Sequence, residues 1–231
     1  MCNTLGDGSM RILLGDKLLE FTDLELDYMY LDEGNESVVF KYGNDALKIY
    51  KEFCHKERLA EEDALRLSCI STERILMPKE IIRDADTGKF IGYSVPYIEK
   101  YPSSAIARMK MRDFLRELDV ICSDIDTLSN AHVDIEDLHV DNILYNGSFF
   151  IGDPGSFEFR RETPSNRIYQ SNIYSLSRFV INEVFGIVKL SKPKKKVLDS
   201  MFVDDYYIGE QIREAAKSTD TVSAYVKRMT K

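Results

Sequence analysis

The chain changes character near Pro96–Lys100. Before that point it reads mostly as strand, and after it mostly as helix. Val38-Val39-Phe40-Lys41-Tyr42 and Asp45-Ala46-Leu47-Lys48-Ile49-Tyr50 are β-rich runs joined by Gly43-Asn44, a pair that tolerates a left-handed turn. A helix is expected from about Lys56 to Leu67, where Ala60, Ala64 and Leu67 recur at helical spacing. Two more strands are expected near Glu80–Arg83 and Phe90–Pro96, with Asp86-Thr87-Gly88 turning between them. In the second part, Phe114, Leu115, Leu118, Ile121, Cys122, Ile125 and Leu128 form a helical stripe. A hairpin follows: Asn142 to Tyr145, then Asn146-Gly147, then Phe149 to Ile151. Residues Ile173 to Ile187 are apolar on nearly every side and read as a buried central helix. Val222, Tyr225, Val226 and Met229 repeat the helical pattern at the tail. The pattern predicts an α+β chain with a β-rich first lobe, about 1–97, and a helical second lobe, about 98–231. A junction of this kind is where ligands tend to bind.

A chain of 231 residues buries roughly 70–75 % of its unfolded surface and needs no covalent staples. Its net charge of -8 argues against sequence-independent nucleic-acid binding, which needs a basic surface. No apolar run is long enough to span a bilayer, and Met1 to Asp7 lacks the pattern of a secretory signal. With Cys2, Cys54, Cys69 and Cys122 widely spaced, reduced thiols in a cytoplasm are expected. Cys54-His55 and Cys69 lack metal-ligand spacing.

The segment richest in chemistry is Ile135-Glu136-Asp137-Leu138-His139-Val140-Asp141-Asn142-Ile143-Leu144, followed by Ile151-Gly152-Asp153-Pro154-Gly155. Asn142 and Asp153 carry oxygen donors that suit a hard cation such as Mg²⁺. Asp137 lies five residues before Asn142, and from a loop that spacing suits proton acceptance rather than metal binding.

With its Asp-x-x-x-x-Asn and its Asp-x-Gly after a hairpin, this segment resembles the protein-kinase-like superfamily. The resemblance implies a two-lobed kinase-like fold as a single domain, with ATP between the lobes. It implies Asp137 as catalytic base and Asn142 and Asp153 as Mg²⁺ ligands. Upstream, Leu31-Asp32-Glu33-Gly34-Asn35-Glu36-Ser37-Val38-Val39 resembles the family's glycine-rich loop, with Gly34 as the middle glycine and Val39 as the roof of the adenine pocket. Asp32 and Ser37 stand where the other glycines would be, so the loop is more acidic than a phosphate cradle usually is. Ala46-Leu47-Lys48 matches Ala-x-Lys, with Ala46 lying against adenine and Lys48 reaching the phosphates. The helix carboxylate that holds Lys48 is expected among Glu57, Glu61 and Glu62. Glu61 is preferred because Leu65 lies one turn later on the same face. At the junction, Val95 is the implied gatekeeper. Pro96 would offer its carbonyl to the adenine and Ile98 its N–H. Leu144 completes the implied ATP-binding set.

The chain also departs from the family. Ile135-Glu136 stands where the family has His-Arg, so nothing at this position pairs with a phosphorylated loop. Activity without such phosphorylation is therefore expected. Only 18 residues separate Asp153 from Asn172, and no Ala-Pro-Glu motif is present. Asn172-Ile173-Tyr174-Ser175-Leu176 is similar to the protein-kinase Asp-Ile-Tyr-Ser-Leu, with Asn172 able to accept the hydrogen bonds that brace the catalytic loop. Asp137-Leu138-His139 is closer to the aminoglycoside and choline kinases. The resemblance thus implies an ATP- and Mg-dependent kinase acting on a hydroxyl, of the small bacterial Ser/Thr kinase-like type. The alternatives are a small-molecule kinase or a nucleotide-binding scaffold. Arg160-Arg161 reads as solvated surface, with contact to an anionic substrate or ordering of its segment as the alternative, and Lys192 to Lys196 reads as a solvated basic loop.

Overall fold

The computed structural model describes residues 9–51, 59–136, 138, 142–188, 190–194, 196 and 220–230. The fold is α+β, with an antiparallel sheet in the first part of the chain and helices in the second. The chain divides into two compact units. One comprises Met1–Ser71, Leu76–Tyr97 and Pro154–Ser156, and the other Thr72–Ile75, Ile98–Asp153 and Phe157–Lys231.

The first unit is built on β1 (Ser9–Leu14), β2 (Lys17–Thr22), β3 (Tyr30–Glu33), β4 (Ser37–Tyr42), β5 (Asp45–Tyr50), β6 (Ile81–Asp84) and β7 (Phe90–Pro96). They form one sheet in the order β2-β1-β6-β7-β5-β4-β3, antiparallel at every pairing. The β4–β5 hairpin forms as its sequence predicts, pairing Tyr42 with Asp45, and Gly43 takes the positive φ of 59° that the tight turn requires. The turn before β7 is closed by Asp84, whose side chain accepts from the Thr87 N–H at 2.7 Å. Ile12, Leu14, Leu19, Phe21, Phe40, Leu47, Ile49 and Ile82 form the core on one face of the sheet.

Two helices accompany the sheet. α1 (Asp23–Met29) starts at a capping box: the Glu25 N–H donates to Thr22 Oγ1 at 3.3 Å and the Thr22 N–H to Glu25 Oε2 at 2.8 Å. α2 (Glu61–Ser68) begins later than the expected Lys56, with Ala60 as its N-cap. It buries Ala64 and Leu67, whereas Leu65 is 46 % exposed.

The second unit contains α3 (Met111–Asn130), α4 (Ser165–Phe179) and α5 (Val222–Met229). Two short antiparallel pairs accompany them, β8 (Val133–Ile135) with β11 (Phe157–Phe159) and β9 (Ile143–Tyr145) with β10 (Phe149–Ile151). The stripe of α3 is inward-facing at Phe114, Leu115, Ile121, Ile125 and Leu128. α5 buries Val222, Tyr225 and Val226. The expected all-round apolar helix over 173–187 is corrected in two ways. α4 starts at Ser165, and Tyr174 is exposed on it. Beyond Phe179 the coil widens into a π-turn at Val180–Val184 and tightens at Phe185–Ile187, which keeps Val180, Val184 and Phe185 all buried.

Among the described residues no helix is long and apolar enough to cross a membrane. Asp137, Glu57, Cys2, Cys54, His55, His139, Asp141 and Lys195 lie outside the described residues, as does the expected helix start near Lys56.

Candidate functional site

In an antiparallel ladder, directly opposed residues share a face, as do residues two apart on one strand. β4 pairs Val39 with Lys48 and Lys41 with Ala46. β7 pairs Tyr93 with Lys48 and Val95 with Ala46. Val39, Lys41, Ala46, Lys48, Tyr93 and Val95 therefore share one face of the sheet. The opposite face carries Phe40, Leu47 and Ile49, which enter the core. Four residues singled out from the sequence, Val39, Ala46, Lys48 and Val95, are thus brought together on the face opposite that core, where Ala46 and Tyr93 are themselves buried. Lys48 is only 9 % exposed there, with its Nζ 6.0 Å from the Tyr93 ring centroid. Lys41 Nζ stands 4.2 Å from the Tyr97 ring centroid. The result is a small apolar platform with a buried ammonium beside it, chemistry suited to a flat aromatic group joined to an anion.

Pro96 ends β7 opposite Asp45, and the Tyr97 N–H donates to the Asn44 carbonyl at 2.8 Å. Ile98 is the first residue of the next stretch assigned to the second unit. Gly34 lies in the β3–β4 turn, where its N–H donates to the Ser37 carbonyl at 3.0 Å. A Cβ at Gly34 would meet nothing within 4 Å, so the sheet itself does not demand glycine there.

Lys51, a residue sequence reasoning missed, holds this turn. Its Nζ donates to the Gly34 carbonyl at 2.7 Å and pairs with the Glu33 carboxylate, and its N–H donates to the Glu36 carbonyl at 2.7 Å. The ammonium pulls the Glu33 carboxyl below the usual glutamate range, through its hydrogen bond first and its charge second. What could have pointed to it is a lysine directly after β5 in a chain whose preceding hairpin turn is acidic, with Glu33 and Glu36 on either side of Gly34-Asn35.

Glu61, the preferred partner for Lys48, pairs with Arg83 of β6. The packing argument that favoured it is corrected: α2 turns Ala64 and Leu67 inward and leaves Leu65 in solvent.

In the second unit, Asn142 and Asp153 stand at the open end of the β9–β10 hairpin. The Gly152 N–H donates to the Asn142 carbonyl at 2.7 Å, which sets Asn142 beside the residue preceding Asp153. Asp153 itself adopts a left-handed backbone, φ 56°, a conformation that aspartate tolerates better than most residues. Leu144 is half-buried on β9, opposite Phe150. A Cβ on Gly152 would lie 3.7 Å from Leu144 Cδ1. The hairpin thus brings the backbone of Asn142 next to Gly152, one residue from Asp153, and Asn142 and Asp153 carry oxygen donors of the kind a hard divalent cation takes.

The segment leading to Asp137 is braced twice. Buried Asn172 accepts from the Ile135 N–H at 2.7 Å and donates through Nδ2 to the Val133 carbonyl at 3.0 Å and to Ser129 Oγ at 3.1 Å. An aspartate could not make those two donations. Arg160 then gathers three carboxylates. Its Nε lies 2.8 Å from buried Asp134, and its Nη2 lies 3.0 Å from Glu158 and bonds Glu136 as well. The expected solvated surface is thus corrected at Arg160, whose ion pairs order its segment.

No family model matches the chain, and no curated protein matches it.

Proposed function

We propose that this protein is an ATP- and Mg²⁺-dependent phosphotransferase with a two-lobed, protein-kinase-like fold. It moves the γ-phosphate of ATP to a hydroxyl acceptor in the manner of a protein Ser/Thr kinase. The observation that carries this reading is the placement of Val39, Ala46, Lys48 and Val95 on one sheet face opposite the core, with the lysine nearly buried. An ammonium held almost out of solvent among apolar neighbours attracts an anionic group more strongly than one in bulk water does.

In this reading Val39, Ala46 and Val95 receive the adenine, and the Pro96 carbonyl and Ile98 N–H take its edge. Lys48 matches the phosphate charge. Asn142 and Asp153 would hold Mg²⁺, which supplies charge neutralisation to the phosphates when bound. Asp137 accepts the proton of the attacking hydroxyl. Asn172 and Arg160 hold β8, so that the segment carrying Asp137 starts from a fixed strand.

The test is transfer of labelled phosphate from ATP into a panel of peptides and small alcohols, with Lys48→Ala and Asp137→Ala beside the wild type. Transfer is expected to fall at least about a hundredfold in Asp137→Ala, the range for loss of a general base. Mg–ATP should still raise the melting temperature of that variant. Equal transfer by the wild type and Asp137→Ala would remove Asp137 from the chemistry. Loss of nucleotide binding in Lys48→Ala alone would tie the sheet face to the phosphates.

A further inference from the structure

We propose that Lys51 is a positioning residue for phosphate binding: by holding the Gly34 carbonyl and the Glu33 carboxylate on the core side of the β3–β4 hairpin, it presents the Asn35 N–H to the face that carries Lys48. This rests on the nucleotide reading above and deepens it, because it names what orients a turn that has only one glycine.

The register supplies the directions. Glu33 is opposed to Val38, and Val38 packs on the core. Lys51 is three residues beyond Lys48, so strand alternation turns it to the side away from Lys48. The Glu33–Lys51 ion pair and the contact from Lys51 Nζ to the Gly34 carbonyl therefore lie on the core side. No peptide bond in the described residues is cis. In a trans peptide the carbonyl of one residue and the N–H of the next point in opposite directions. With the Gly34 carbonyl drawn to Lys51, the Asn35 N–H points to the face of Val39, Ala46 and Lys48.

Gly34-Asn35 is also a peptide that turns over easily. Glycine has no steric preference, and asparagine visits left-handed conformations at little cost. Turned over, it would aim a carbonyl oxygen at the phosphates in place of an N–H. Lys51 opposes that rotation. It also neutralises one carboxylate of a turn that holds Asp32, Glu33 and Glu36, so an anion approaching from the other face meets less repulsion.

Calorimetric titration of the full chain with Mg–ATP and, separately, with adenosine tests this. For Lys51→Met, the affinity for Mg–ATP is expected to fall about tenfold or more, a loss of about 1.4 kcal/mol. Adenosine affinity should stay within about twofold. Lys51→Arg should recover most of the loss. Asn35→Pro, which deletes the amide hydrogen on an exposed turn, should give the same selective loss. Unchanged Mg–ATP affinity in either Lys51→Met or Asn35→Pro overturns the proposal and leaves the nucleotide reading standing. A parallel loss of Mg–ATP and adenosine binding assigns Lys51 to holding the sheet and also overturns it. A wild type that binds neither ligand overturns the nucleotide reading, and this inference with it.

Discussion

Gly92 shows how closely the sheet is drawn around Lys48. A Cβ at this position would lie 2.0 Å from the Lys48 carbonyl oxygen and 3.0 Å from its carbonyl carbon. Those are backbone atoms, so no rotamer change relieves the clash, and β5 and β7 would have to separate. Gly92→Ala is expected to cost about 3 kcal/mol in urea unfolding, among the larger single-residue effects. The same substitution should weaken nucleotide binding, because the strand that moves is the one carrying Lys48. A loss below about 0.5 kcal/mol would mean that the two strands tolerate separation. At this scale the sequence was informative wherever a residue acts through its own chemistry. Lys48, Val39, Ala46 and Val95 were legible because the motifs that hold them, a glycine-bearing turn, Ala-x-Lys and the strand before the junction, follow one another in the order of the family they resemble. Gly92 and Lys51 were not, because each acts on a neighbouring strand, and that neighbour is fixed only by register. Glu61 was misjudged in its packing for a related reason. α2 buries the Ala64 and Leu67 stripe that its spacing shows, Leu65 lies off that stripe, and the partner Glu61 does meet, Arg83, stands on a strand distant in sequence.

The elements were most legible where periodicity and turn chemistry agree. The β4–β5 and β9–β10 hairpins form where alternation meets Gly-Asn or Asn-Gly, and α3, whose N-cap Lys110 makes no side-chain hydrogen bond, was legible from its long 3.6-residue stripe alone. α1 was missed although Thr22-Asp23-Leu24-Glu25 is a capping box, because the helix buries none of its residues and so leaves no apolar stripe to read. The β8–β11 pair was not read either. Each strand has three residues, too few to show alternation, and what joins them is partly charge. Glu158 keeps its proton to a higher pH than an ordinary glutamate, chiefly because it hydrogen-bonds Glu136 and next because of burial, with Arg160 opposing both. A carboxyl raised in this way contributes stability that is present at low pH and lost as pH climbs through its folded-state value. Arg160 limits that loss. Arg160→Gln should therefore lower the melting temperature by about 2–4 °C near neutrality. The deficit should shrink as pH falls toward the ordinary glutamate value of about 4.3. Part of it should persist there, since buried Asp134 also loses its cation. A deficit independent of pH would show that Arg160 acts by packing alone.

At the scale of the whole molecule, the chain does not hand over from one unit to the other only once. Thr72–Ile75 belongs to the second unit, although the residues flanking it belong to the first. One buried carboxylate accounts for much of this. Asp124 on α3 is 6 % exposed and accepts the backbone N–H groups of Glu73 at 3.0 Å, Arg74 at 2.5 Å and Ile75 at 3.1 Å. Arg74 then donates from Nε to buried Glu117 at 3.0 Å, and the Ile151 N–H donates to the Arg74 carbonyl at 2.8 Å. A strand pattern cannot announce such a segment, because its four residues are held by side chains distant in sequence rather than by their own alternation. Asp124→Asn keeps the shape but offers one acceptor oxygen, and it turns a donor amide toward backbone donors. Hydrogen bonds to a charged group contribute about 1.5–3 kcal/mol each and are not additive, so the expected loss is about 2–4 kcal/mol. The distinguishing measurement is hydrogen exchange. The amides of Glu73, Arg74 and Ile75 should lose protection in Asp124→Asn, while those of β4 and β5 keep theirs. Uniform loss of protection across both units would mean that Asp124 supports the entire fold rather than this one crossing.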